Sequence, residues 1–109
     1  YDYEQHRYHN GEARRQRRMG LSDSRGDHPE YVSVAVDVVD PAFAPGTGTP
    51  SVGGFSSAQI LDALRLLKGA NIVGADVVEV LPDRDPAGIT ALLASHVMFE
   101  ILCLDAVSR

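Results

Sequence analysis

The sequence has little of several features that would place a protein in a special class. Among its 109 residues there is one cysteine and no tryptophan. A single cysteine, Cys103, cannot form a disulfide within the chain, which favours a reducing compartment, and we expect a cytoplasmic protein. No apolar run reaches the roughly 18 residues that cross a bilayer, and the first residues lack the pattern of a signal peptide. We therefore expect no membrane partner.

Positive charge is scarce relative to negative charge. The chain has 10 Lys and Arg and 15 Asp and Glu, for a net charge of −5 at pH 7. This balance argues against nucleic acid as a partner. Residues 1–26 form a polar, Arg- and Tyr-rich segment with almost no aliphatic residues before Leu21. A nucleic-acid-binding arm is one interpretation of this segment, and a solvated segment, which its interleaved acids favour, is the other.

Two segments have the composition of buried strands. Residues 31–39 (YVSVAVDVV) are rich in β-branched residues and apolar enough to be buried on both faces, and residues 72–80 (IVGADVVEV) predict a second buried strand. Asp40-Pro41 ends the first segment, because proline cannot donate a hydrogen bond to a strand ladder. A loop with three Pro and several Gly follows, over residues 41–54.

Two further segments predict helices. Ser56 is a candidate N-cap with Gln59 three residues later, as in a capping box, and Gly69 is a candidate stop. The apolar stripe of this first helix comprises Ile60, Leu61, Leu64 and Leu67. The second helix is predicted over about residues 87–107. Its predicted inward face comprises Ile89, Leu92, Leu93, Val97, Ile101 and Leu102.

The order strand, loop, helix, strand, helix predicts an α/β protein with a parallel sheet. A two-stranded parallel unit leaves both sheet edges unpaired. We therefore interpret residues 27–109 as the C-terminal portion of a larger α/β domain.

Acidic residues follow both predicted strands. Sites in parallel sheets lie at the carboxyl ends of the strands, where Asp37 and Glu79 fall, with Asp40 and Asp76 close by. Such carboxylates can bind a divalent cation or a cationic substrate. Alternatively, Asp40 caps the turn into Pro41, and Asp76 satisfies backbone groups of the following loop.

The motifs around these acids resemble the ureohydrolase family, which includes arginase and agmatinase. The resemblance lies in residues 33–41 (SVAVDVVDP), 45–50 (PGTGTP), 53–54 (GG), 74–80 (GADVVEV) and 89–92 (ITAL). The glycine at position 46 is closer to agmatinase, since arginase usually has alanine there.

The resemblance implies a three-layer α/β/α sandwich with two Mn²⁺ ions that activate a bridging water. Agmatine or another small linear guanidino substrate would be hydrolysed to urea and an amine, agmatine giving putrescine. Asp37 matches a metal ligand and Glu79 matches the carboxylate that receives the guanidinium, while Asp76 and Asp40 match supporting acids. Family members commonly form trimers or hexamers, so a homo-oligomer is expected of the full-length protein.

The sequence also departs from the family. Ala35 stands where the family has the carboxylate that bridges both ions, and the upstream Gly-Gly-Asp-His and Asp-Ala-His-x-Asp motifs are absent. The family's Pro-x-x-Asp-His-Ala segment reads PDRDPA at residues 82–87. Two hypotheses therefore remain: an agmatinase-like hydrolase present as an incomplete segment, and a catalytically inactive, truncated remnant that serves at most as an interaction module. An unrelated nucleotide-binding module is disfavoured, because the glycine-rich loop lacks the Gly-Lys-Ser/Thr ending of a P-loop.

Overall fold

Two parallel strands organise residues 28–109, which are the residues that the computed structural model describes. The elements, in order, are strand β1 (Pro29–Ala35), a 3-10 turn (Val36–Val38), helix α1 (Ser57–Arg65), strand β2 (Asn71–Val78), a second 3-10 turn (Pro82–Arg84) and helix α2 (Ile89–Ser108). Strands β1 and β2 pair in parallel, so the predicted order and pairing are confirmed. The predicted polar segment, residues 1–26, lies outside the described residues.

Strand β1 is shorter than predicted, because the valine-rich run bends after Ala35. The N–H of Val39 donates to the carbonyl oxygen of Val36 at 3.1 Å and closes the turn. Val39 then forms a parallel bridge with Phe55, on the far side of the loop. The prediction that Asp37 lies within the strand is therefore wrong; it lies in the 3-10 turn.

The described part of the sheet has one covered and one uncovered face. Val34 and Val77 are register partners and belong to the core or pack against it, whereas Tyr31, on the other face, is 63% exposed. The core cluster on the covered side comprises Val34, Val39, Ala44, Ile60, Leu64, Leu93, Val97, Ile101 and Leu104. Burial of both faces was predicted and is wrong for the described residues, since the core forms on one side only.

Helix α1 begins and is packed as the sequence predicts. The Ser56 hydroxyl accepts from the N–H of Gln59 at 3.1 Å, and the Gln59 side chain accepts from the N–H of Ser56 at 3.0 Å, which completes the capping box. Ile60 and Leu64 of the predicted stripe are buried. Regular helix ends at Arg65, and Gly69, with φ of +94°, ends the turns that follow.

Helix α2 has the predicted position but not the predicted inward face. Leu93, Val97 and Ile101 are buried, whereas Leu92 and Leu102 are 61% and 65% exposed. The remaining predicted position, Ile89, is 48% exposed. Since the helix is apolar nearly all round, its sequence does not single out one stripe. Thr90, Ala94 and Leu104 complete the buried set.

By length and composition, α2 is also apolar enough to cross a membrane, a test that core helices of soluble proteins pass too. A third of the tested part of the helix is buried inside the described structure. The absence of a membrane partner therefore stays a prediction.

Candidate functional site

The candidate site lies where the two strands end together. Ala35 and Val78 are register partners at the last paired position of β1 and β2. Asp37 follows Ala35 by two residues and Glu79 follows Val78 by one. The sheet therefore brings both predicted site residues to the same edge, as expected for parallel strands.

Asp37 is half-buried and is held by the glycine-rich loop. Thr49 donates its hydroxyl hydrogen to Oδ2 of Asp37 at 3.1 Å. Its carboxylate is thus held by a residue of the loop, residues 41–54. Its predicted role as a metal ligand stays a prediction.

Glu79 combines an exposed side chain with an unfavourable backbone conformation. Its φ of +75° lies in the left-handed region, and among the described residues it is the only non-glycine residue there. Such a conformation costs a non-glycine residue about 1–2 kcal/mol and is concentrated at functional sites. No feature of the sequence signals this strain, because the motif shows residue types and not dihedral angles.

Asp40 uses both carboxylate oxygens to shape the loop. The N–H of Ala42 donates to Oδ1 and the N–H of Gly53 to Oδ2, each at 2.9 Å. These two hydrogen bonds lower the pKa of Asp40 below its usual value. The structure agrees with the interpretation of Asp40 as a turn-capping residue and shows that it also ties the two ends of the loop together.

Asp76 binds side chains of the neighbouring strand. Ser33 donates to Oδ1 at 2.6 Å and Tyr31 donates to Oδ2 at 2.9 Å, on the uncovered face of the sheet. The hydrogen bond to Asp76 raises the pKa of Tyr31. The alternative in which Asp76 satisfies the following loop is wrong, because the side chain points across the sheet two residues before β2 ends.

A buried polar cluster, which the sequence pattern did not predict, anchors the loop. Asp85 accepts the N–H groups of Thr90 and Ala91 at 2.9 Å each, and the Thr90 hydroxyl accepts the N–H of Gly46 at 2.7 Å. A Cβ at Gly46 would lie 2.4 Å from the Cβ of Asp85, so only glycine fits. The one sequence signal near this cluster is an aspartate just before an apolar helical run, but Asp85 precedes the N-cap position, Gly88, by three residues.

Among residues 28–109, no three His, Cys, Asp or Glu side chains are grouped to hold a metal ion. Ala35 offers a methyl group at the position to which the resemblance assigns a bridging carboxylate, and both oxygens of Asp40 are engaged by backbone N–H groups. Asp37 is thus the one matched ligand in this part of the chain. The described residues do not by themselves fit a dinuclear metal centre.

A cavity of about 660 Å³ lies at the opposite end of the sheet, lined in part by Asn71, Ile72 and Arg109. Asn71 begins β2, whereas Glu79 follows its end, so this cavity is separate from the candidate site.

The chain is similar to a well-defined group of proteins. A model described as the Arginase family matches residues 3–104. A guanidinopropionase from Pseudomonas aeruginosa is 58% identical over 83 residues, 76% of this chain and 26% of that protein. A mitochondrial agmatinase from Gallus gallus is 52% identical over 79 residues, 72% of this chain and 23% of that protein. The chain thus spans about a quarter of the length of these curated relatives.

Solved structures show the same likeness. A hypothetical agmatinase from Burkholderia thailandensis matches with a TM-score of 0.71 and 50% identity, covering 81% of this chain and 29% of that one. Proclavaminate amidino hydrolase from Streptomyces clavuligerus matches with a TM-score of 0.74 and 43% identity, covering 84% of this chain and 34% of that one. The predicted α/β fold class is confirmed.

Proposed function

Because this chain belongs to the arginase family, we propose that it forms part of the substrate site of a ureohydrolase, which releases urea from a linear guanidino compound. The observation that carries the proposal is the position of Asp37 and Glu79 directly after two strands paired at Ala35 and Val78. Ligands of parallel α/β sheets bind at this edge.

The proposed substrate class is a small linear guanidino compound, with agmatine first. Similar proteins are named guanidinopropionase, guanidino acid hydrolase and agmatinase; the first two names refer to guanidino compounds, and agmatine carries the same group. Glycine at position 46 favours agmatine over arginine, because the sequence there resembles agmatinase.

Glu79 is the proposed guanidinium acceptor. A carboxylate can take two parallel N–H···O hydrogen bonds from a planar guanidinium, which fixes orientation as well as charge. The exposed side chain is accessible to such a ligand. Its left-handed backbone is consistent with a conformation retained for binding rather than for stability.

A dinuclear manganese centre would need ligands from outside residues 28–109. Asp37 supplies one donor, and Ala35 supplies none. No chemical step through a metal follows from the described residues.

The second candidate function is an inactive chain that retains the family's shape. Ala35 favours this hypothesis. Mutation of a residue that only contacts a metal's ligands typically costs roughly 10–100-fold in affinity or activity, and the loss of a bridging ligand costs more. Under this hypothesis Glu79 still receives a guanidinium, but no urea forms.

Binding of agmatine to the 109-residue chain, followed by NMR chemical-shift titration, tests the substrate site. We expect Glu79→Gln to abolish the shifts at residues 78–80 and Glu30→Gln, in β1, to leave them unchanged. Equal titration curves for the Glu79→Gln variant and the unmodified chain would contradict the proposed role of Glu79.

Release of urea separates the two candidate functions. We expect no urea from agmatine with the chain alone and added Mn²⁺, and none after Ala35→Asp, because the other ligands are missing. Clear Mn²⁺-dependent turnover that Glu79→Ala abolishes would instead show an active hydrolase. A rate restored by Ala35→Asp would show that the remaining ligands come from elsewhere.

A further inference from the structure

A buried carboxylate holds the start of α2. Asp85 is 9% exposed, and its two oxygens accept the N–H groups of Thr90 and Ala91. These N–H groups lie in the first turn of α2, where helices leave backbone donors unpaired. The same hydrogen bonds lower the pKa of Asp85, and the one from Thr90 has the largest effect. The carboxylate is therefore charged at neutral pH. Asp85 therefore fixes the position of Thr90.

Thr90 in turn holds the glycine-rich loop. Its side chain is fully buried, and its hydroxyl accepts the N–H of Gly46 at 2.7 Å. The carbonyl of Gly46 accepts the N–H of Leu81 at 2.7 Å. Both backbone polar groups of Gly46 are thus bound by residues that follow β2.

The held segment leads directly to the candidate site. Two residues after Gly46, the carbonyl of Gly48 accepts a hydrogen bond from Arg84 at 3.2 Å. The next residue, Thr49, donates to Asp37. Hydrogen bonds at its two ends, joined by the backbone from Gly46 to Thr49, therefore connect Asp85 before α2 to the carboxylate of Asp37.

We propose that Asp85 and Thr90 are positioning residues: through Gly46 they fix the loop that brings the Thr49 hydroxyl to Asp37, and so hold Asp37 oriented for the site. The role given to the orientation of Asp37 rests on the proposed function. The coupling itself is a property of the folded chain and is measured without substrate.

The test uses the 109-residue chain and two NMR measurements, the exchange rate of the Gly46 amide hydrogen and the side-chain coupling constants that report the rotamer of Thr49. In the unmodified chain we expect a protected Gly46 amide and one Thr49 rotamer. Thr90→Val, which removes the hydroxyl but keeps the shape, is expected to speed Gly46 exchange roughly tenfold, as for loss of one buried hydrogen bond, and to average the Thr49 rotamers.

Two further variants separate positioning from general stability. Thr90→Ser keeps the hydroxyl and is expected to restore both readouts, which a merely structural loss would not do. Ser95→Ala, in the same helix, removes a hydroxyl that donates to the carbonyl of Leu92 and is expected to change neither.

Several outcomes would overturn the proposal. One is a Thr49 rotamer that is unchanged in Thr90→Val and in Asp85→Asn. Another, which needs no variant to fold, is a Gly46 amide in the unmodified chain that exchanges as fast as in an unstructured peptide. If both readouts respond as expected but agmatine does not bind, the coupling stands and the proposed function fails.

Discussion

Thr49 donates its hydroxyl hydrogen to Oδ2 of Asp37 across 3.1 Å and joins the glycine-rich loop to the turn after β1. Twelve positions of chain separate the two residues, so neither helix nor strand geometry relates them. The loop is therefore part of the site and not only a connection to α1.

Replacement of Gly46 by alanine tests the packing between this loop and α2. The new Cβ would lie 2.4 Å from Asp85 Cβ and 2.9 Å from Thr90 Oγ1, inside buried surroundings that cannot move freely. We expect Gly46→Ala to lower the free energy of unfolding by about 1–3 kcal/mol in urea denaturation. Gly48→Ala is the control, since a Cβ there meets nothing within 4 Å. Equal losses in the two variants would contradict the close contact.

Thr47 carries a buried hydroxyl that has no hydrogen-bond partner within the described residues. Valine has nearly the same shape and no polar atom to bury, so we expect Thr47→Val to raise the free energy of unfolding by about 1 kcal/mol. Thr90→Val provides the matched comparison, because Thr90 is equally buried but its hydroxyl is bonded to Gly46. That variant should lose stability. The same sign of change in both would refute this account of Thr47.

The left-handed backbone at Glu79 should make a glycine variant more stable than an alanine variant. Glycine adopts a φ of +75° without the steric cost that other residues bear. We expect Glu79→Gly to be more stable than Glu79→Ala by about 1 kcal/mol, measured by thermal and urea unfolding. At Glu30, in β1, the order should reverse, because glycine weakens a strand. Loss of guanidino binding together with a gain in stability in Glu79→Gly would show that the strain serves the site.

Asp40 is expected to contribute to the acid sensitivity of the fold. Hydrogen bonds from the N–H groups of Ala42 and Gly53 lower its pKa in the folded chain, below the roughly 3.9 of an unfolded aspartate. Its contribution is therefore complete above the unfolded pKa and is lost as the pH falls through the lower, folded pKa. Between about pH 6 and pH 3, the urea midpoint of Asp40→Asn should fall less than that of the unmodified chain. Asp83→Asn, which removes an exposed carboxylate outside this loop, is the control.

Local signals in the sequence determined the order of the elements and the start of α1. The capping box at Ser56 and Gln59 involves residues three apart, so its hydrogen bonds can be predicted without knowledge of any distant contact. The β-branched runs likewise predicted both strands, and their motifs identified Asp37 and Glu79 as candidate residues. Family resemblance, however, assigned the roles of these residues.

Only the tertiary structure decided where β1 bends, which face of α2 is buried and how the candidate site is held. A run of valines has the same composition whether it continues along β2 or turns to pair with Phe55. Helix α2 is apolar nearly all round, so its inward face depends on which neighbours it meets. The hydrogen bonds from Asp85 through Thr90 to Gly46 join residues up to 44 positions apart, and no local pattern encodes contacts at that separation. Short-range backbone preferences are written in the sequence, whereas these long-range pairings exist only once the chain has packed.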